Sequence, residues 1–297
     1  MGEPVSLAEG VNVIHGELRG RFPYAHALLI QDDMTVLIDT GAGDRPLGSV
    51  PATPDVIINS HFHADHTRGN RLFPDAAVWA AAEDAPAIRS EDEFVTRAGY
   101  TRMGPGRARL MLDWIEHAES RVDRELAGDE VLELGRRKLR LIPAPGHTPG
   151  HLAFYLEREG ILFTADVDLT SFGPWYANPG SDPDQFEDSI RRLAEVPARL
   201  IVSAHKGILR EELPRRLEMY RAVIDARDQR CLELLARGPA TLGQLARHWP
   251  IHGRPLQPGW LYGTWERIML EHQLVRLQRR GLVRAGEDGR MERVAGA

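Results

Sequence analysis

Three histidines and one aspartate stand within six residues of the sequence. The stretch 59–66 reads Asn-Ser-His-Phe-His-Ala-Asp-His, and its metal-binding side chain types belong to His61, His63, Asp65 and His66. His61 and His63 are two residues apart, so in an extended segment both point to one face and can bind one ion. Asp65 and His66 follow where the chain turns and can bind a second ion. Imidazole and carboxylate ligands suit zinc, iron or manganese.

A short apolar run, Asp55–Ile58, precedes this stretch and predicts a buried strand. The ligand-type residues begin where that strand ends, on a loop, which is where open α/β sheets place their sites. One His-x-His in a chain with 12 histidines could arise by chance. The complete His-x-His-x-Asp-His string is far more specific. The sequence therefore predicts a metal centre at the end of a strand.

The same string resembles the metal-binding signature of the metallo-β-lactamase-fold hydrolases. The resemblance covers about the first 210 residues. It implies an αββα four-layer sandwich that usually holds two metal ions, with three further ligands at strand ends. The chain has matching residues in order, His147, Asp166 and His205. Asp166 is expected to bridge the ions. Ala165 stands where the family more often has glycine, and residues 203–207 depart from the common Pro-Gly-His-Gly form.

Two further segments match patterns of this family. Residues 146–151 read Gly-His-Thr-Pro-Gly-His, a string typical of the glyoxalase II-like branch, in which the second histidine, here His151, is structural. Asp39 begins an Asp-Thr-Gly turn that resembles the family turn whose carboxylate supports the ligands from behind, a role that orients them and tunes their basicity. An ordinary turn aspartate is the alternative for Asp39.

The substrate pocket is predicted from aromatic residues and a helical segment. Phe172, Trp175 and Tyr176 follow Asp166 and could line a pocket for an apolar or acyl group, with plain packing as the alternative. Residues 83–125 carry helical patterns interrupted by glycine and proline. In the family, a helical insertion at this point commonly covers the mouth of the active site.

The length of 297 residues indicates one large domain and a small one. We predict an α/β hydrolase domain over residues 1–222. A helix over 211–235, a short helix, a long helix and a strand-like Leu-Val-Arg then resemble a winged-helix module, so residues 223–297 are predicted to form a small, mainly helical, winged-helix-like domain. Some family members, including a branch of endoribonucleases, carry such a module.

The charge is unevenly distributed. Residues 226–297 contain 12 arginines and seven acidic residues, whereas the remainder contains 25 basic and 36 acidic residues. The cluster formed by Arg276, Arg279, Arg280 and Arg284 could contact phosphates. A solvated basic face on a docking or homodimerising domain is the alternative, and no aromatic residues alternate with the basic ones to support nucleic-acid binding.

The sequence predicts a cytoplasmic protein that does not bind a membrane. No apolar run approaches the roughly 18 residues of a membrane span. The first ten residues lack the basic start and apolar core of a secretory signal. The single cysteine, Cys231, excludes an intramolecular disulfide framework and fits a reducing compartment.

The seven ligand types predict a hydrolase with two divalent ions, most simply zinc, with iron or manganese as alternatives. A metal-bound hydroxide would attack a thioester, ester or lactone carbonyl of a small-molecule acyl substrate, because coordination lowers the pKa of water from 15.7 to about 7. Asp65 is expected to bind the second ion and to orient the hydroxide. Two alternatives stay open: a metal-dependent endoribonuclease or phosphodiesterase that uses the basic C-terminal domain, and a non-catalytic metal-binding ligand sensor.

Overall fold

Two β-sheets packed face to face form the centre of the molecule. The computed structural model describes residues 4–294. Alternate side chains of a strand point to opposite faces of its sheet, so Ile38 and Ile58 contact the second sheet while Leu37 and Ile57 lie on the outer face. One apolar core lies between the sheets, and two others cover their outer faces. This is the expected αββα arrangement, and the predicted α/β class is confirmed.

The first sheet has seven strands, arranged in their chain order. They are β1 (Val5–Ala8), β2 (Val11–Ile14), β3 (Ala27–Ile30), β4 (Val36–Ile38), β5 (Val56–Asn59), β6 (Ala77–Ala81) and β7 (Arg124–Leu126). Strands β1 to β4 pair antiparallel, and β4 to β7 pair parallel. The carboxyl ends of β4, β5 and β6 therefore meet at one edge.

The second sheet has six strands in the order β13-β12-β11-β10-β9-β8. They are β8 (Val131–Glu133), β9 (Lys138–Pro143), β10 (Leu152–Leu156), β11 (Ile161–Ala165), β12 (Leu200–Ser203) and β13 (Gly207–Leu209). All pairings are antiparallel except that of β11 with β12, which is parallel. Strands β11 and β12 thus also end side by side.

Helices cover both sheets and form most of the C-terminal quarter. They are α1 (Glu17–Gly20), α2 (Asp44–Leu47), α3 (Ala64–Thr67), α4 (Ala85–Arg89), α5 (Glu91–Arg97), α6 (Pro105–Ile115), α7 (Pro183–Ala194), α8 (Leu213–Leu235), α9 (Leu242–Ala246) and α10 (Gly259–Arg279), with 3₁₀ turns at Asn70–Leu72 and Tyr100–Met103. The predicted insertion, residues 83–125, contains α4, α5, α6 and one of these turns. Helix α7 has an N-cap, because the Asp182 carboxylate accepts from the backbone N–H groups of Asp184 and Gln185.

The C-terminal helices share a core with the hydrolase sheets. Helix α8 runs unbroken through residues 222 and 223, where we place the domain boundary. Ile224 of α8 and Leu270 of α10 belong to the same apolar core as Phe186 of α7 and Ile201 of β12. Strands β14 (Val283–Ala285) and β15 (Met291–Arg293) form a hairpin after α10. The winged-helix interpretation and the division into two domains both stay predictions.

The predicted arginine cluster is not a free basic face. Arg276 is 1% exposed, and its guanidinium contacts the carboxylates of Glu187 at 2.7 Å and Asp228 at 3.0 Å. The other three arginines of the cluster also pair with carboxylates, Arg279 with Asp182, Arg280 with Glu187 and Arg284 with Glu292. Arg276 therefore joins α10 to α7 and α8 in the interior, whereas the side chains of Arg279, Arg280 and Arg284 are ion-paired but 56%, 40% and 72% exposed.

Within residues 4–294, no helix is both long enough and apolar enough to cross a membrane.

Candidate metal centre

The predicted ligands all follow the carboxyl ends of strands. Strand β5 ends at Asn59, and the segment 60–67 carries His61, His63, Asp65 and His66 into the short helix α3. The other three predicted ligands follow strands of the second sheet. His147 lies in the turn between β9 and β10, Asp166 directly follows β11, and His205 follows β12. The structure brings these seven residues together in two groups.

The first group consists of three imidazoles and a carboxylate. His61 Nε2 lies 3.0 Å from His63 Nδ1 and 3.2 Å from His147 Nε2, and the last two nitrogens are 3.0 Å apart. Asp166 Oδ2 lies 3.3 Å from His147 Nε2 and 3.9 Å from His61 Nε2. Nitrogens about 3.3 Å apart are what a tetrahedral zinc ion requires when its Zn–N bonds are 2.0–2.1 Å.

The second group consists of Asp65, His66 and His205, with the other oxygen of Asp166 beside them. Asp166 Oδ1 lies 3.0 Å from His66 Nε2 and 3.3 Å from His205 Nε2. Asp65 Oδ2 lies 3.5 Å from His205 Nε2 and 4.0 Å from His66 Nε2. Each carboxylate oxygen of Asp166 thus faces a different group, which is the arrangement expected of a bridging ligand.

Two buried atoms at this point lack hydrogen-bond partners among the described residues, His66 Nε2 and Asp166 Oδ1. A buried polar atom without a partner is costly, and a cation held between these two atoms would remove that cost by binding both. The remaining atoms of the groups are imidazole nitrogens and carboxylate oxygens, which are ligands of zinc, iron and manganese. The residues therefore fit two divalent cations.

The outer nitrogen of each histidine is fixed by a second group. His66 Nδ1 donates to Asp39 Oδ2 at 2.7 Å, and the Ser60 hydroxyl, 2.8 Å from that same oxygen, lies 3.0 Å from His61 Nδ1. The other three histidines donate to oxygens farther along the chain: His63 Nε2 to Asn178 Oδ1, His147 Nδ1 to the Trp175 carbonyl and His205 Nδ1 to the Gly20 carbonyl. These bonds fix the tautomer that leaves one nitrogen of each ring facing the centre.

The Asp39 turn approaches the ligand segment very closely. A Cβ atom on Gly41 would lie 1.3 Å from the carbonyl oxygen of Asp65, so glycine is required there. The Asp39 carboxylate also accepts the backbone N–H of Ser60 at 2.7 Å. Asp39 is completely buried and contacts His66 directly. Asp39 therefore contacts the ring nitrogen of His66 opposite the one that faces Asp166.

Burial keeps the histidines of the first group neutral. It lowers the pKa of His63 and holds the pKa values of His61 and His147 well below their ordinary value. A neutral imidazole has a lone pair available for a cation, whereas an imidazolium has none. The first group is therefore ready to coordinate a metal at neutral pH.

The histidines of the second group face carboxylates instead. Burial is the largest single effect and opposes their protonation, but Asp166 and the neighbouring carboxylates together outweigh it, raising the pKa of His205 to about 10 and that of His66 well above its ordinary value. Burial also opposes ionisation of Asp166, yet His205 and His66 hold the pKa of its carboxyl well below the usual range. A cation entering this group must displace protons, since metal ligands are deprotonated.

Replacement of Asp39 by asparagine is expected to weaken the second metal site by about 10- to 100-fold, the usual effect of losing an outer partner. The amide retains an oxygen for the Ser60 N–H but cannot accept from both Ser60 and His66 as the carboxylate does. Isothermal titration with Zn²⁺ would measure both affinities. Equal weakening at both sites, or none, would contradict this assignment of Asp39.

The three predicted substrate residues lie in different environments. The Trp175 ring is half-buried, and its centroid lies 5.5 Å from those of His63 and His147. Tyr176 is completely buried, and its hydroxyl donates to Gln273 Oε1 at 2.5 Å. The Phe172 ring packs against His252 and the Arg227 guanidinium. Tyr176 is therefore a packing residue, correcting the sequence prediction, whereas Trp175 lies directly beside the ligands.

Sequence reasoning missed the support that α10 gives to the centre. His272 Nε2 donates at 2.8 Å to the carbonyl of Asn178, whose side chain holds His63 and donates to the His147 carbonyl. Gln273 of α10 accepts a hydrogen bond from the Tyr176 hydroxyl. The residue before Tyr176 is Trp175, whose carbonyl accepts from His147 Nδ1. These contacts join residues about 100 positions apart, and no local pattern in the sequence signals them.

Replacement of Asn178 by leucine is expected to lower the affinity of the first metal site by about 10- to 100-fold, while the second site is affected less. Leucine has a similar size but cannot accept the hydrogen bond from His63 or donate to the His147 carbonyl. With Co²⁺ as the probe, the visible spectrum would report the geometry of each site. Unchanged filling of the first site would show that His63 needs no support from Asn178.

A family model describes much of the chain. The model of the Metallo-beta-lactamase superfamily matches residues 20–205. A hydroxyacylglutathione hydrolase of Chelativorans sp. is 27% identical over 172 residues, covering 57% of this chain and 56% of that protein. An acyl-coenzyme A thioesterase, MBLAC2, of Gallus gallus is 29% identical over 185 residues, covering 61% and 60%. The chain spans about half the length of the curated relatives it matches.

Solved structures resemble the whole chain in fold. A metallo-beta-lactamase family protein from Thermus thermophilus superposes with a TM-score of 0.77 at 24% identity, covering 97% of this chain and all of that one. A beta-lactamase domain protein from Burkholderia ambifaria gives a TM-score of 0.75 at 19% identity, with 98% and 93% covered. These likenesses concern the fold alone. With a family model matched from residue 20 to residue 205, the chain belongs to the metallo-beta-lactamase superfamily.

Proposed function

We propose that this protein is a dinuclear metal-dependent hydrolase that acts on thioesters. The observation that carries the proposal is Asp166, whose two oxygens face two complete groups of ligands. The names of the relatives, hydroxyacylglutathione hydrolase and acyl-coenzyme A thioesterase, support an acyl thioester as the substrate. Esters and lactones have the same acyl carbon and are the next candidates.

Two divalent ions in these groups, zinc in the first instance and iron or manganese as alternatives, would act as Lewis acids and lower the pKa of bound water from 15.7 to about 7. The role of the protein is to hold the ligand atoms in position. Asp166 joins the groups, and the outer hydrogen bonds hold the imidazoles in their ligand tautomers. Asp65 is buried in the second group, 3.5 Å from His205 Nε2, where its carboxylate can orient the attacking water as well as bind.

The first experiment combines metal analysis with a substrate panel. Purified protein is analysed for zinc, iron and manganese, and the same sample is assayed on an acyl thioester, a lactone, a phosphodiester and an RNA oligonucleotide. We expect about two ions per chain and thioester turnover. Cleavage of RNA or the phosphodiester without acyl turnover would overturn the proposal, and so would the absence of bound metal in a protein incubated with zinc.

A matched pair of histidine variants tests whether the activity belongs to this site. His61→Ala removes a ligand, and His248→Ala removes an exposed histidine of the C-terminal quarter. The first variant is expected to lose metal and turnover together, and the second to retain both. Turnover that survives in His61→Ala would arise from a different site or a contaminant.

A further inference from the structure

Four aromatic side chains form a continuous row that begins beside the metal ligands. The Trp175 ring centroid lies 5.6 Å from that of Trp265, which lies 6.2 Å from that of Phe22, which in turn lies 5.2 Å from that of Trp114. All three contacts are edge-to-face, the geometry that aromatic pairs prefer. We call these four residues the aromatic row.

Each residue of the aromatic row comes from a different segment. Trp175 follows β11, Trp265 is on α10, Phe22 lies between α1 and β3, and Trp114 is on α6 of the insertion. Four segments separated in sequence by up to 243 positions thus place aromatic rings end to end. The row is a feature of the folded molecule, and only its Trp175 end was foreseen from the sequence.

Exposure to solvent rises along the outer part of the row, from Trp265 to Trp114, whereas Trp175 at the inner end is half-buried. Trp265 is 8% exposed, Phe22 is 38% exposed and Trp114 is 49% exposed. Leu18 and Leu110, near Phe22 and Trp114 in the sequence, are more than half exposed as well. Apolar surface that stays in contact with water is unfavourable, and exposed apolar patches commonly mark places where something binds. An apolar path of aromatic rings therefore leads from the predicted metal ligands to exposed aromatic side chains at the surface.

The acyl end of a thioester could bind along such an apolar path. The carrier thiols of biological thioesters are polar and charged, whereas the acyl part is often a hydrocarbon. Aromatic and aliphatic surfaces bind hydrocarbon because each CH₂ group that they bury is removed from water. The path starts at the ligand groups, where the acyl carbon must react.

We propose that the aromatic row binds the acyl group of the substrate, and that the preferred substrates are thioesters of extended apolar acids rather than of short or hydroxylated ones. This inference rests on the proposed function and specifies its substrate class. Trp175 and Trp265 contact the part of the acyl chain nearest the carbonyl. Phe22 and Trp114 contact only the far end of a long chain.

The test compares acetyl, hexanoyl and dodecanoyl thioesters of one thiol. In the unaltered protein kcat/KM is expected to rise with chain length. Trp265→Ala is expected to reduce the preference for dodecanoyl over acetyl by about tenfold or more. Trp114→Ala is expected to reduce kcat/KM for dodecanoyl and to leave hexanoyl unchanged, because only the longer chain reaches that ring.

Two controls keep the test independent of misfolding. Trp265→Phe retains an aromatic ring and removes no internal hydrogen bond, since the indole N–H of Trp265 has no partner among the described residues, so this variant is expected to retain the preference. Trp260→Ala removes a half-buried tryptophan from the same helix, outside the row, where its ring contacts Arg107. Chain-length preference unchanged in both Trp265→Ala and Trp114→Ala would overturn the inference.

Binding of dodecanoate, measured by calorimetry on the metal-loaded protein, separates this inference from the proposed function. Weaker binding of dodecanoate to Trp265→Ala than to Trp260→Ala would support the aromatic row as an acyl-binding site. If no thioester were hydrolysed in that case, only the proposed function would be wrong. Thioester turnover that does not depend on chain length, with dodecanoate bound equally by all variants, would defeat only the present inference.

Discussion

Asp166→Asn is expected to abolish dinuclear metal binding and to lower kcat/KM by more than 100-fold. The asparagine side chain has nearly the same shape but only one oxygen and no charge, so it cannot serve both groups as Asp166 does. Loss of an outer partner alone costs about 10- to 100-fold in metal affinity or activity, and a shared ligand should cost more. Metal analysis after dialysis, followed by thioester kinetics, measures both effects.

The matched control is Asp188→Asn, which makes the same chemical change on the exposed face of α7. This variant is expected to retain both metals and full turnover. If Asp166→Asn kept two ions per chain and wild-type kinetics, the two groups would be filled independently and the bridging assignment would be wrong. A single retained ion would instead identify the group that survives without the shared carboxylate.

Removal of the metals with a chelator is expected to abolish activity and to lower the melting temperature by roughly 8–16 °C for each ion lost. One ion at 1,000 times its dissociation constant stabilises a folded protein by about 4.1 kcal/mol, and each kcal/mol shifts the melting temperature of a domain of this size class by about 2–4 °C. The physical reason is local: without cations, the carboxylates of Asp65 and Asp166 face buried imidazoles that must be protonated to pair with them.

Differential scanning calorimetry before and after chelation measures the shift, and added Zn²⁺, Mn²⁺ or Fe²⁺ should restore stability and turnover together. Restoration by one ion alone would identify the native metal. A melting temperature that does not change on chelation, in a protein shown to have lost its metals, would mean that the seven residues do not form a cation site in the folded state.

The clustering of the predicted metal ligands was the most predictable feature of the site, because the signal for four of them is local. His61, His63, Asp65 and His66 occupy one short segment, and the resemblance supplied the three residues at later strand ends. The apolar run at 55–58 likewise predicted strand β5, which the structure places one residue later at each end, at Val56–Asn59.

The surroundings of the centre were less predictable, because they depend on contacts between distant segments. The sequence has a tryptophan and a tyrosine side by side after Asp166, and it does not indicate which ring faces the predicted ligands. In the structure the Tyr176 hydroxyl binds Gln273, so the Tyr176 ring is held in the interior. The environment of the arginines of α10 was also not predictable from the sequence. Their spacing shows a cationic cluster, but their carboxylate partners on α7 and α8 become visible only when the helices are packed together.

The support that α10 gives to His63 and His147 also affects the order in which the protein can become functional during synthesis. All seven predicted ligands have left the ribosome's catalytic centre once residue 205 has been added, yet His272 and Gln273 come near the end of the chain. Chains are made from the N-terminus at about 5–20 residues per second. Helix α10, which supports the predicted ligands, is therefore completed several seconds after them. A nascent or prematurely ended chain thus contains every predicted ligand but not the contacts from α10 that support His63 and His147.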